Sequence, residues 1–275
     1  MVARVADPAA RILALVDGHG RVRAGIEARI ARLVAARWSG FDGWYRDALV
    51  AEVAAEVAAA VGTGQVGIAQ VTDAYLAQVA TIVRGTPVSP VGVAQDMRAT
   101  RRAGGVTAED VQARVAAEFR WQVSKDVVPL AAKAIAVQRA VNAARTDMGL
   151  AFRDQTAAFM DVRGAPHGFR RVIRPERSEH GTCGLCVAAS NQVYHRRDLL
   201  DLHGGCKCTV VEIGEAIDEG RVVNDAEYAA VLGESDSTRA ADLRRVRVQV
   251  SEHGELGPVL TDARHKFRGP SQVAA

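Results

Sequence analysis

The stretch CGLCVAASNQVYHRRDLLDLHGGCKC, residues 183–208, holds all four cysteines of the chain. Cys183 and Cys186 form a Cys-x-x-Cys pair, and Cys206 and Cys208 a Cys-x-Cys pair. His203 stands three positions before Cys206, His195 lies between the pairs, and His180 precedes both. Two nearby pairs of soft sulfur donors suit a tetrahedral zinc ion, and a Cys-x-x-Cys turn presents both its sulfurs to one ion. The Cys-x-Cys pair is less standard. Its side chains point the same way on a straight strand, so sterics can allow only one to ligate. His203 can then replace Cys206 or Cys208, with Gly204 and Gly205 letting the backbone bend toward the metal. The candidate ligands are therefore Cys183, Cys186, His203, Cys206 and Cys208. Four protein ligands leave no open position for water, so such a zinc is structural and its binding energy is folding energy.

Other chemistries compete for the same residues. The thiols can be metal-free, reduced in a core or oxidised after lysis. One can be a catalytic nucleophile. A redox-active Cys-x-x-Cys is a further reading, but it wants a strand-to-helix setting that lowers the thiol pKa, and that setting is not expected here. Ser178, Ser190 and Ser251 are the serines nearest histidines, and none lies in a nucleophile-elbow pentapeptide. There is no His-Glu-x-x-His zinc-hydrolase motif. GTGQVG, residues 62–67, lacks the Lys-Ser/Thr that a phosphate loop requires.

A basic cluster precedes the cysteines. Arg163, Arg170, Arg171, Arg174 and Arg177 fall within fifteen residues, and Arg244, Arg245 and Arg247 make a second group. Such patches contact phosphates without reading bases. Asp161, Glu176 and Glu179 dilute the first group, so a solvated or partner-contacting face is an equal reading. The net charge of +3, from 35 basic and 32 acidic residues, is too small to imply a nucleic-acid partner by itself.

The elements that must position these residues differ between the two ends of the chain. With 275 residues and 48% hydrophobic content there is enough apolar surface for a real core. Helical spacing marks residues 7–17, stopped by Gly-His-Gly at 18–20, then 21–38, about 44–60, and a fourth helix around Val71, Tyr75 and Val79. These four suit an antiparallel bundle. Residues 84–105, punctuated by prolines and glycines, read as a connection. Thr107 with Asp110 three residues on is an N-cap signal, and Val111, Val115 and Phe119 then share a face. Pro129 is expected to end or kink that helix. A long helix then runs to about Met160, burying Val137, Val141, Ala144, Met148, Phe152 and Phe159. Beyond Gly164, short strands are expected in GFRRVIRPE, in NQVYH, at 209–213 and at 244–250.

The expected fold is mainly α, with an N-terminal helical bundle followed by a small α+β domain carrying a Cys/His-rich loop. The expected segments are a helical region at 1–83, a linker at 84–105, central helices at 106–163, the Cys-rich region at 164–215 and an α+β extension at 216–275. No secretory signal and no membrane span are expected, and the thiols are expected to stay reduced in a cytoplasm.

The cysteine segment resembles the C-terminal motif of the phage Mu F-like minor head proteins. That family shows Cys-x-x-Cys, a short mixed stretch, then His-x-x-Cys-x-Cys-Thr. Here these are Cys183, Cys186, His203, Cys206, Cys208 and Thr209. Asn191 to Tyr194 match the family's Asp-Gly-x-x-Tyr/Phe step loosely, with Asn191 and Gln192 in place of Asp-Gly. Ala144, Arg145, Thr146 and Asp147 correspond to an upstream Ala-Arg-Thr-Glu helix, with aspartate for glutamate. The tail EHGELGPVLTDARHKF, residues 252–267, is similar to the ending of such proteins from actinobacterial phages. The resemblance covers residues 130–213 best. It implies a structural minor capsid protein inside the phage head, assembled in the host cytoplasm, with the portal protein and inner capsid surface as partners. Non-specific contact with packaged DNA is a further implication. Some members carry the label capsid maturation protease, which makes cleavage of scaffold or capsid protein the alternative function.

Overall fold

The computed structural model describes residues 7–94, 106–173, 182–190, 192–195, 208–215, 218, 221, 247–253 and 257–262. The protein is mainly helical, with a small α+β part, as the sequence indicates. Its elements in order are α1 (Pro8–Ser39), α2 (Asp47–Arg84), α3 (Ala108–Ser124), α4 (Pro129–Arg163), β1 (Phe169–Val172), β2 (Thr182–Cys183), α5 (Gly184–Ser190), β3 (Thr209–Glu212), β4 (Arg247–His253) and β5 (Gly257–Asp262). The chain forms two compact units. The first comprises Met1–Asp17, Leu76–Ser89 and Met160–Ala275. The second comprises Gly18–Tyr75 and Pro90–Phe159. We call them the sheet-bearing unit and the helical unit.

Two expected helix breaks are absent. Gly-His-Gly at 18–20 lies inside α1, and GTGQVG lies inside α2. A mid-helix glycine costs about 1 kcal/mol relative to alanine, which packing of a buried stripe outweighs. Gly64 contributes to that packing directly. A Cβ there would lie 2.7 Å from Ile30 Cγ1 and 3.0 Å from Met148 Sδ, so only glycine lets these side chains of α1 and α4 approach α2 this closely. By length and composition α2 would also pass for a membrane-crossing helix. Its Gln65, Thr72 and Asp73 are buried and hydrogen-bonded to protein groups, the arrangement of a bundle's core helix.

The loop between α1 and α2 is part of the core. Trp44 stacks on Phe119 of α3 with ring centroids 4.4 Å apart, and Trp38 and Phe41 close the cluster at 5.8 and 5.3 Å from Trp44. Thr107 caps α3 in a full capping box. Its hydroxyl accepts from the Asp110 amide at 3.0 Å, and its own amide donates to the Asp110 carboxylate at 2.8 Å. Val115 and Phe119 are buried, as that helical face requires, and Val111 is half-buried. Pro129 does not end this helix. α3 stops at a Schellman turn, in which Asp126 takes φ 62 and the Val127 and Asp126 amides donate back to the Gln122 and Val123 carbonyls. Pro129 instead opens α4, where its missing N–H costs nothing. Along α4, Val141, Ala144, Met148, Phe152 and Phe159 are buried and Val137 is half-buried.

In the sheet-bearing unit β1 pairs antiparallel with β3, with Arg171 opposite Val210 and Val172 opposite Thr209. All four positions of both strands are buried, so neither face of this ribbon is solvated. NQVYH supplies only an isolated bridge, Tyr194 to Phe169, on the other edge of β1. A second sheet runs β2-β4-β5, all antiparallel. β4 makes residues 247–250 of the alternating segment a strand and continues it to His253, residues 244–246 lying outside the described residues, and β5 is a strand that the sequence pattern did not reveal.

Candidate functional site

The residues of the cysteine motif that the structure describes, Cys183, Cys186, Cys208 and Thr209, lie in the sheet-bearing unit. α5 packs against β1 and β2. Cys183 ends β2, and Cys186 lies in the first turn of α5. This is a strand-to-helix junction, the setting that the sequence pattern did not lead us to expect around the Cys-x-x-Cys pair. Cys186 is buried, and so is Cys208, which immediately precedes β3. His203 and Cys206 lie outside the described residues, as do His180, Arg174, Arg177, Arg244 and Arg245. Among the described residues no group of three or more His, Cys, Asp or Glu is placed to hold a metal. Two buried thiols brought into one unit nonetheless fit the donor chemistry of a closed zinc site.

Backbone geometry holds the Tyr194 segment tightly to β1. The Phe169 amide donates to the Tyr194 carbonyl at 2.8 Å and the Tyr194 amide to the Phe169 carbonyl at 3.0 Å. Gly168, at φ +86, makes this possible, because a Cβ there would sit 2.7 Å from the Tyr194 carbonyl oxygen. The Tyr194 hydroxyl donates to the Ala189 carbonyl at 2.6 Å. Burial pushes the Tyr194 phenol above its ordinary pKa; Arg171 and Arg170 pull it down, and Cys186 adds to the rise.

Among its described members, Arg163, Arg170 and Arg171, the basic cluster is not an open face. Arg170 and Arg171 are both buried, because β1 is covered on both sides and strand alternation sends neighbouring side chains to opposite faces. Arg170 grips Asp218 through Nε at 2.7 and 2.9 Å and through Nη2 at 2.7 Å, and its Nη1 donates to the Ser190 carbonyl at 3.2 Å. Arg163 is half-buried and donates to the Ser89 carbonyl at 3.1 Å. The expectation of a phosphate-contacting row therefore fails at Arg170 and Arg171, whose side chains are committed to the interior.

A second buried pair was not legible in the sequence. Arg84, the last residue of α2, holds Glu212 of β3 in a bidentate contact, the strong geometry for a guanidinium and a carboxylate. Nε lies 2.7 Å from Oε1 and Nη2 lies 3.0 Å from Oε2. The same guanidinium donates to the Gly164 and Arg163 carbonyls at 2.6 and 3.3 Å. These are acceptors that the end of α4 leaves without helical partners. Nothing local marks this pairing, since its partners are 128 positions apart.

Ser190 is not poised as a nucleophile. Its hydroxyl is fully buried and donates to the Val187 carbonyl of its own helix at 2.6 Å. In the helical unit, His19 is also interior, with Nε2 3.2 Å from Thr72 Oγ1 and its ring stacked on Tyr75 at 4.4 Å. Arg23, one turn on, pairs with Glu27 at 2.9 Å and covers the Phe152 ring at 4.4 Å. The spacing 19, 23, 27 carried this signal as a polar helical stripe, but reading Gly-His-Gly as a stop hid it. Compared with known proteins, the chain matches no protein-family model, no curated protein and no solved structure.

Proposed function

We propose that the protein is a structural minor capsid component of a tailed-phage head, acting in head assembly beside the portal. The motif series Cys183, Cys186, His203, Cys206, Cys208 and Thr209 supports this reading. One structural observation carries it furthest: Cys186 and Cys208, on separate segments, are both buried in one compact unit and flank the same two-stranded ribbon. Buried thiols on separate segments suit a staple better than an exposed reactive site. In this reading Cys183 and Cys186, with two of His203, Cys206 and Cys208, hold a zinc that stabilises the fold and performs no reaction. The portal protein and the inner capsid surface are the partners. Any DNA contact falls to basic residues other than Arg170 and Arg171.

The test is co-expression with the portal and scaffold proteins of the phage head to which this reading assigns the chain. Retention of the chain on tagged portal, and its incorporation into heads without scaffold cleavage that depends on Cys186 or Ser190, is the expected result. Heads that assemble normally without the chain, together with no portal retention, would remove the reading. Scaffold cleavage lost on changing one of those residues, in a folded variant, would replace it with the protease.

A further inference from the structure

In the helical unit, residues 90–94 form a strap without regular secondary structure, and two side chains read its backbone. The Asp73 carboxylate of α2 accepts from the Val91 amide at 3.0 Å and from the Gly92 amide at 2.7 Å, one oxygen to each. The Gln155 side chain of α4 makes a matched pair of bonds. Its Oε1 accepts from the Ala94 amide at 2.9 Å, and its Nε2 donates to the Gly92 carbonyl at 2.8 Å. A side-chain amide thus supplies the donor and the acceptor that a neighbouring strand would offer. Asp73 and Gln155 are both buried. Each would lose its partners if the strap left, so the site requires an occupant.

The seated strap shows what that occupant must be. Its own side chains contribute little: Val91, Val93 and Ala94 are only half-buried and Gly92 is exposed. Recognition falls on the backbone, with one residue-type requirement. Gly92 takes φ +90 in open space, so glycine is needed for its backbone conformation and not for room. Pro90 fixes its own φ and biases Ser89 toward an extended conformation, which lowers the entropy lost on docking. Every copy of the chain carries this segment, and a site that reads backbone cannot distinguish its own strap from another copy's.

We propose that Asp73 and Gln155 form a strap-binding site that residues 90–94 of a second copy can fill in place of the chain's own, an exchange of identical elements between protomers. In one chain the tethered strap outcompetes a free one, because its effective concentration is roughly millimolar. The experiment therefore separates strap from site in two full-length variants. Gly92→Val has a strap that resists positive φ and leaves its site open. Asp73→Ala with Gln155→Ala keeps the strap and lacks the site. Sedimentation velocity is run on each alone and on their mixture, with circular dichroism to verify the folds. The mixture should form a one-to-one complex at least tenfold more abundant than any association of either variant alone. An excess of a synthetic peptide of residues 87–94 should dissolve it. Gln155→Glu keeps the side-chain volume, removes the donor to the Gly92 carbonyl, and takes the place of the double variant in the mixture if that variant unfolds. A mixture of folded variants that stays monomeric overturns the proposal. So does a complex that survives the peptide or forms equally in one variant alone.

Discussion

Gly64 in the helical unit is hemmed in by Ile30 and Met148, whereas Glu212 in the sheet-bearing unit is hemmed in by Arg84. The first is held by shape and the second by charge. Around Gly64 the neighbours are the apolar side chains of Ile30 and Met148, although the same unit also buries the Arg23–Glu27 pair. Around Glu212 the ribbon is covered on both faces, and two ion pairs, Arg84 with Glu212 and Arg170 with Asp218, lie in or beside it. An apolar core degrades gradually as volume is lost or gained. A buried ion pair is nearly all or none, because removing one member leaves the other as an uncompensated charge. The two sites should therefore fail differently. All three tryptophans, at 38, 44 and 121, belong to the helical unit, so their fluorescence reports on it alone.

The largest effect is expected for Arg84→Met. It strands Glu212, whose side chain is 2% exposed, and also frees the α4 carbonyls. A loss of about 3–5 kcal/mol is expected. It should appear as faster amide exchange in β1 and β3, with a smaller shift in the tryptophan unfolding midpoint. Glu212→Gln should cost less than Arg84→Met, because the Arg84 side chain is 23% exposed and can recover hydration. The uncompensated charge is then the one nearer water. The reverse order would mean that the pair is not the support of the ribbon.

Next comes Gly64→Leu, which forces an added side chain against Ile30 and Met148. About 1–3 kcal/mol of destabilisation is expected, now read in tryptophan fluorescence with β1 exchange little changed. If both probes move together in both variants, the contrast between the sites collapses.

The smallest effect sharpens the boundary of α3. Thr107→Ala removes the capping hydroxyl and should cost about 1 kcal/mol, visible as local exchange in the first turn. The same box sets a pH dependence. Hydrogen bonds from the Thr107 backbone and then its hydroxyl hold Asp110 below its ordinary value of 3.8. A carboxyl depressed in the folded state stabilises it above that ordinary value and loses the contribution as pH falls through the depressed one. Protection of the first turn of α3 should therefore fade only below the ordinary Asp value, and Thr107→Ala should move that fading to higher pH.

The helical part of the fold was largely legible because its signals are local. Thr107 and Asp110 announced α3, and the apolar stripe from Val141 to Phe159 announced α4. Glycine misled where packing overrode propensity: Gly18, Gly20 and Gly64 read as breaks and are helix interior. The site was legible only in its residue types. The Cys-x-x-Cys pair and the strand at 209–212 were found, while the meeting of Arg84 with Glu212 and of Arg170 with Asp218 was not. Such pairs join segments that carry no mutual periodicity, and a basic run looks the same in a sequence whether its arginines face water or a carboxylate.

The claim that residues 183–208 form a closed structural unit is tested most directly by metal content and thiol reactivity on one preparation purified without chelator. One zinc per chain, with thiols that react only after chelation and with faster exchange in β1 and β3 once the metal is removed, is the expected result. No metal and a single thiol that reacts at once would contradict it and would make a reactive cysteine the leading account.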